Sequence, residues 1–155
     1  TKAAVIGVSE SKLDSSVNDS EISITGYNVI WRDRCRNGGG VACYIREDLC
    51  FNVSNVFSKE IEAVFFELLF PKMKPISIGI FYRTPTQNNF LDTVSRELEN
   101  LDIDRKETYL LGDFNVNLLC GTKYILNEKS ICNSSSGIGP LINKYKEFCQ
   151  KFSFT

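Results

Sequence analysis

Leu110-Leu111-Gly112-Asp113-Phe114-Asn115-Val116-Asn117, LLGDFNVN, ends an apolar run in a glycine and then sets an acid and two amides at every second position. Successive side chains of an extended chain point to opposite sides, so Asp113, Asn115 and Asn117 can share one face just beyond a buried strand. That is how a rim for binding or chemistry is built. The same letters also read as a strand followed by a turn, because Gly, Asp and Asn are the commonest turn residues. The segments around the motif bear on the choice.

Upstream, FLDTVSRELENL places Phe90, Leu91, Val94, Leu98 and Leu101 at helical spacing with charges between them, which predicts a helix lying on a sheet. Before it, PISIGIFYR alternates, with Ile76, Ile78, Ile80 and Tyr82 on one side, and IEAVFFELLF is apolar on both faces. YNVIW and GVACYIRE flank a glycine-rich turn, and KAAVIGVSE is a short apolar run ending at Ser9 and Glu10. Downstream, GPLINKYKEFCQKF predicts a second amphipathic helix entered through Gly139 and Pro140, and NEKSICNSSSGIG between them is polar and small, a flexible loop. Many strands with a few interspersed helices, no internal repeat and no linker predict one layered α/β (α+β) domain whose sheets are partly buried on both faces.

Composition agrees. A chain of 155 residues, 43% hydrophobic and 12% aromatic, can bury a core as one globular unit. A formal net charge of -1 advertises neither nucleic acid nor an acidic membrane globally, so any DNA contact would be local. No apolar run reaches the length of a membrane span and the first residues do not look like a secretion signal, so a soluble, intracellular protein, nuclear or cytoplasmic, is expected. The six cysteines form no CxxC pair and are expected as free thiols. The three Asn-x-Ser sequons, at Asn18, Asn52 and Asn133, carry little meaning without secretion. With no histidine at all, Cys/His zinc sites and Ser-His-Asp or Cys-His catalysis are excluded.

If the strands point the same way, Glu10, Tyr82 with Arg83, and Asp113 with Asn115 collect at one rim, where layered folds place their sites. Glu10 and Asp113 are hard oxygen donors suited to Mg2+, or Mn2+, held by one or two carboxylates and a substrate phosphate. Tyr82 and Asn115 can donate to phosphate oxygens. Metal-assisted phosphodiester or phosphomonoester hydrolysis is the chemistry such a rim suits.

SESKL around Glu10, NGGGVACYI at Asn37–Ile45, IFYRTPTQN at Ile80–Asn88 and LLGDFNVN stand in an order that resembles the endonuclease/exonuclease/phosphatase superfamily. The set looks most like the endonuclease domain that precedes the reverse transcriptase in non-LTR (LINE-type) retrotransposon polyproteins. The resemblance covers almost the whole chain and implies a four-layer α/β sandwich. It also implies a magnesium-dependent enzyme that nicks target DNA and leaves a 3′ hydroxyl to prime reverse transcription, with a reverse transcriptase in the same polyprotein. By position, Glu10 matches the metal-binding glutamate and Tyr82 the tyrosine on the scissile phosphate. Asp113 matches the aspartate that orients or activates water, and Asn115 the asparagine that steadies the phosphate. Arg83, Asn88 and Asn117 are nearby candidate DNA contacts that read equally as a solvated strand end and turn polarity.

The departures matter too. The family's upstream strand with a metal-binding asparagine has no counterpart here, nor do its later threonine-bearing segment and Ser-Asp-His block. Residues 1–155 therefore read as an internal fragment, a domain incomplete at both ends, expected to be poorly soluble and not to cleave DNA alone. A decayed or domesticated non-catalytic remnant, and another phosphohydrolase of the superfamily acting on RNA tails, inositol phosphates or sphingolipid, are the alternatives.

WRDRCRNGGG sets Arg32, Arg34 and Arg36 at alternate positions beside Trp31. They read either as a ribbon along a DNA backbone or as a solvated hairpin arm. The triple glycine, with no Gly-Lys-Ser/Thr and a strand next, reads as a tight turn, Cys43 and Cys50 as small core residues, and Trp31 as packing.

Overall fold

The computed structural model describes residues 2–35, 37–101, 103, 106–116 and 138–152. Most of the stretch expected as a polar loop lies outside them. The element order is β1 (Val5–Ser9), α1 (Asp19–Ile22), β2 (Tyr27–Arg32), β3 (Val41–Arg46), β4 (Cys50–Ser54), β5 (Glu62–Leu69), β6 (Ile76–Tyr82), α2 (Phe90–Asn100), β7 (Glu107–Asp113) and α3 (Ile138–Lys151).

Two sheets form, β1-β3-β2 and β4-β5-β6-β7. All pairings are antiparallel except β6 with β7, which α2 joins as a parallel crossover. The alternation of β6 decides how the sheets stack. Ile78, Ile80 and Tyr82 join Val64, Phe66 and Leu68 of β5 and Val41, Cys43 and Ile45 of β3 in a core between the sheets. The other face, with Ala63, Phe65 and Phe81, packs on Phe90, Leu91, Val94 and Leu98 of α2 and on Phe148 of α3. β5 is apolar on both faces because both faces are covered.

Phe81 is the hub of the helical side. Its ring meets Phe57 edge-on at 5.2 Å and Phe90 at 6.3 Å, and stacks on Phe114 at 6.1 Å. Phe114 thus turns into the helix-side core between Asp113 and Asn115.

The outer face of the three-stranded sheet is covered more thinly, by the segment holding the single turn α1. Trp31 Nε1 donates to Asp19 Oδ1 at 2.7 Å, and Tyr44 Oη to the Ile22 carbonyl at 2.9 Å. The tryptophan packs as the sequence implied. β4 was not anticipated: Cys-Phe-Asn-Val-Ser lacks a clear alternation, and it is an edge strand with Cys50 and Val53 exposed. Cys50 is therefore not the core residue expected, whereas Cys43 is fully buried.

Candidate active site at the sheet rim

The parallel pairing puts Tyr82 in register with Asp113, and the Arg83 N–H donates to the Asp113 carbonyl at 2.9 Å. Gly112 makes this possible. A Cβ there would lie 1.9 Å from the Phe81 carbonyl oxygen, and its φ of 137° is one that side chains rarely adopt. The glycine of LLGDFN is thus neither turn nor ligand but the point where β7 closes on β6.

Beyond Asp113 the chain turns sharply. Asn115 has φ 48°, its N–H donates to Asp113 Oδ1 at 2.8 Å, and its Nδ2 donates to the Arg83 carbonyl at 2.6 Å. Arg83, expected at a solvated strand end or on DNA, is 1% exposed. Its guanidinium donates to the carbonyls of Gln87 at 2.9 Å and of Pro85, Phe114 and Asn115 at 3.2 Å. It is a strut locking the loop after β6 to the segment after β7, and burial pushes its pKa below the ordinary value. Asn88 is exposed in the turn before α2.

Glu10 reaches the same rim from the other sheet. β1 crosses β6 closely, with Gly7 against the Ile80 side chain. After β1, the N–H groups of Ser11 and Lys12 donate to the Gly40 and Gly39 carbonyls at 3.1 and 2.9 Å. Glu10 and Lys12 hold φ values of 57° and 56°, a left-handed conformation that costs a non-glycine residue free energy and clusters at functional sites. Glu10 is exposed, with its Oε1 3.9 Å from Lys12 Nζ.

Gly38, Gly39 and Gly40 are buried, with φ of 152°, 81° and 79°, and are more than a turn. They wrap Glu62, a carboxylate that sequence reading missed because a glutamate opening a strand looks solvated. Glu62 accepts from the Gly40 N–H and pairs with Arg34 Nη1 at 3.1 Å. A Cβ on Gly39 would fall 2.4 Å from Glu62 Oε2. Since Glu62 lies opposite Tyr82 in the β5–β6 register, Glu10, Glu62, Tyr82 and Asp113 stand along one edge of the sandwich.

The arginine triplet does not form a free ribbon, because β2 ends at Arg32. Arg32 Nη1 donates to the carbonyls of Phe57 and Ile61 at 3.3 and 3.2 Å, and Arg34 is paired with Glu62. Arg36 and Asn117 lie outside the described residues.

Among the described residues no group of three His, Cys, Asp or Glu side chains comes together to hold a metal ion. Glu10 and Asp113 are nonetheless exposed carboxylates of the kind a hard cation takes, and one or two such groups with a substrate phosphate suffice for magnesium. Ser11 Oγ, buried beside Gly40, has no hydrogen-bond partner among the described residues.

No family model matches the chain, and no curated protein matches it in sequence. Its architecture does have a solved counterpart. The catalytic domain of human nocturnin, solved with a bound sulfate anion, superposes with a TM-score of 0.55 at 12% identity, covering 74% of this chain. The fold is of the endonuclease/exonuclease/phosphatase type. The chain spans 52% of that nocturnin domain, about half its length.

Proposed function

We propose that the chain is part of a magnesium-dependent phosphodiester hydrolase, a DNA endonuclease of the kind that nicks target DNA for reverse transcription in LINE-type elements. The observation that carries the reading is the placement of Glu10, Tyr82 and Asp113 along one rim of a fold of the endonuclease/exonuclease/phosphatase type. The ordered motifs SESKL, NGGGVACYI, IFYRTPTQN and LLGDFNVN support the retroelement part of it. The sulfate bound by the nocturnin domain supports a fold that accepts a tetrahedral oxyanion.

Glu10 and Asp113 would hold Mg2+ (or Mn2+), which when bound supplies Lewis-acid polarisation of a phosphoryl oxygen. The chain's own groups do the rest. Asp113 has one carboxylate oxygen fixed by the Asn115 N–H, so its orientation is set before a water or phosphate arrives. Asn115 spends one amide hydrogen on the Arg83 carbonyl, which leaves its second for a phosphate oxygen. Tyr82, 6% exposed and packed between the sheets at the strand end in register with Asp113, would offer its hydroxyl as a donor to a phosphate oxygen.

DNA and a reverse transcriptase in the same polypeptide are the partners this reading implies, and a nuclear or cytoplasmic location follows from them. Among the described residues no helix is long and apolar enough to cross a membrane. With no histidine in the 155 residues, we infer that this stretch alone does not cut DNA.

Plasmid nicking tests both statements, using the 155-residue chain and the natural reading frame extended on both sides. The extended protein should nick supercoiled plasmid in Mg2+ and leave 3′ hydroxyls, and Glu10→Gln and Asp113→Asn should each slow it by about a hundredfold or more. Nicking that survives both substitutions would remove the reading. Nicking by the 155 residues alone would overturn the inference of inactivity, and turnover of an inositol phosphate or sphingolipid instead of DNA would point to another phosphohydrolase of this fold.

A further inference from the structure

We propose that Arg34, oriented by the buried carboxylate of Glu62, presents its Nη2 beside Glu10 to a backbone phosphate of a bound nucleic-acid strand. The proposal rests on the nucleic-acid part of the reading above and not on hydrolysis.

The pair is asymmetric. The Glu62 side chain is 9% exposed whereas that of Arg34 is 38% exposed. A buried carboxylate is costly unless its oxygens are bonded, and here they are: the Gly40 N–H serves Oε2, while Arg34 Nη1 at 3.1 Å and Thr84 Oγ1 at 3.5 Å serve Oε1. The chain also sets Gly39 against this carboxylate, where a Cβ would collide with it and with Arg34. The fold thus places a fixed negative charge under a half-exposed guanidinium.

The guanidinium is held through two of its three nitrogens. Nε donates to the Gly38 carbonyl at 2.9 Å, and Nη1 donates to Thr84 Oγ1 at 3.0 Å and is ion-paired with Glu62. Nη2 has no hydrogen-bond partner among the described residues. The two hydrogens of Nη2 are therefore unspent on the described residues, on a guanidinium whose other two nitrogens fix its direction.

Nη2 faces the site. A Cβ built on Gly38 would lie 3.4 Å from Arg34 Nη2 and 3.8 Å from Glu10 Oε1, so guanidinium and carboxylate border the same small space. Arg34 also lines an open cleft of about 420 Å³, where Arg32 and Lys59 stand with it against the acids Asp33, Glu60 and Glu62. A strand whose scissile phosphate sits at Glu10 can lay a neighbouring phosphate on this nitrogen. Arg34 is then a binding residue and Glu62 a positioning residue that acts through it.

The test measures binding of the 155-residue chain to a fluorescent DNA duplex across a salt series, without metal. Arg34→Ala should weaken binding about tenfold and reduce the slope of log affinity against log salt by about one, the signature of one lost phosphate contact. Arg34→Lys keeps the charge but loses the bonds to Gly38 and Thr84 that aim it, and should weaken binding nearly as much. In a Glu62→Gln background the Arg-to-Lys exchange should cost less than about threefold, because the guanidinium is no longer aimed. Lys144→Met, on the far side of the helical layer, should change neither affinity nor slope. Lysine as good as arginine at position 34, an unchanged slope in the alanine variant, or no duplex binding by the wild-type chain would each overturn the proposal. Arg34-dependent binding by an extended protein that fails to nick would instead sink the hydrolase reading and leave this one standing.

Discussion

Replacing Arg83 by methionine separates a strut from a ligand-binding residue. Methionine keeps much of the apolar stem but removes every donor from four carbonyls, those of Pro85, Gln87, Phe114 and Asn115. Pro85 lies in an exposed turn and Gln87 is half-buried at its end, so those two carbonyls can turn to water. The Phe114 and Asn115 carbonyls sit at the junction with the helix-side core, where an unsatisfied acceptor costs about 1–3 kcal/mol. Relief from burying a charge offsets part of that sum, which leaves a net loss of about 3 kcal/mol. For a domain of this size that lowers Tm by about 6–12 °C. Urea unfolding followed by circular dichroism gives the first number and a thermal melt the second. Amide exchange should rise in 84–88 and 113–116 before it rises in β3. Arg83→Lys should fall between, since one ammonium cannot span four carbonyls. A methionine variant within about 1 kcal/mol of wild type, with unchanged exchange in both segments, would refute the strut and return Arg83 to the candidate DNA contacts.

Gly39→Ala should lower stability by about 2 kcal/mol, because its Cβ would meet Glu62 Oε2 at 2.4 Å with φ at 81°; an unchanged thermal melt would contradict the placement of Glu62. Burial pushes the Cys43 thiol from 9.0 up to about 12. Its folded pKa therefore lies above its unfolded one, so its contribution to stability is complete below pH 9 and is lost as pH rises toward 12, which a urea series at pH 8 and pH 10 can read. In the native chain at pH 8, iodoacetamide should modify exposed Cys50 and spare Cys43, as peptide mass mapping would show; equal labelling would contradict the burial pattern. Asp92→Asn, which breaks an exposed 2.7 Å ion pair to Lys144, should cost no more than about 0.5 kcal/mol in urea unfolding; a larger loss would mean that the pair fixes α3 on α2.

Much of the architecture was legible because it is periodic. The alternation Ile76, Ile78, Ile80, Tyr82 named the inter-sheet face of β6, and the helical spacing of Phe90, Leu91, Val94 and Leu98 named the buried stripe of α2. Motif order was legible too, and it led to the fold that the nocturnin domain supports. What the sequence hid were the partners of charged groups. Arg34 meets Glu62 and Arg83 meets Phe114 across 28 and 31 positions in the chain, and nothing in the local pattern of either marks its mate. Both arginines therefore looked like surface charge. β4 was hidden for a different reason, since a short edge strand alternates only weakly.

The two arginines also explain why the rim can be rigid while its ligands stay exposed. Glu10, Lys12 and Asn115 all hold left-handed backbone, which persists only where the surroundings over-determine it. At Asn115 the constraint is the Arg83 strut together with the Asn115 amide bond back to the Arg83 carbonyl. At Glu10 and Lys12 it is the pairing of the Ser11 and Lys12 N–H groups with Gly40 and Gly39, whose own course is fixed by Glu62. Each side of the rim thus has a buried charged group fastening backbone rather than touching solvent, and the side chains carried by that backbone, Glu10 on one side and Asp113 on the other, are left free to face it. A substitution at Glu62 or Arg83 should therefore disturb the opposing carboxylate's side of the rim far less than its own. Exchange rates at residues 9–12 should respond to Glu62→Gln and those at 113–116 to Arg83→Met, and a uniform response of both segments to either change would show one cooperative unit where the bonding pattern draws two.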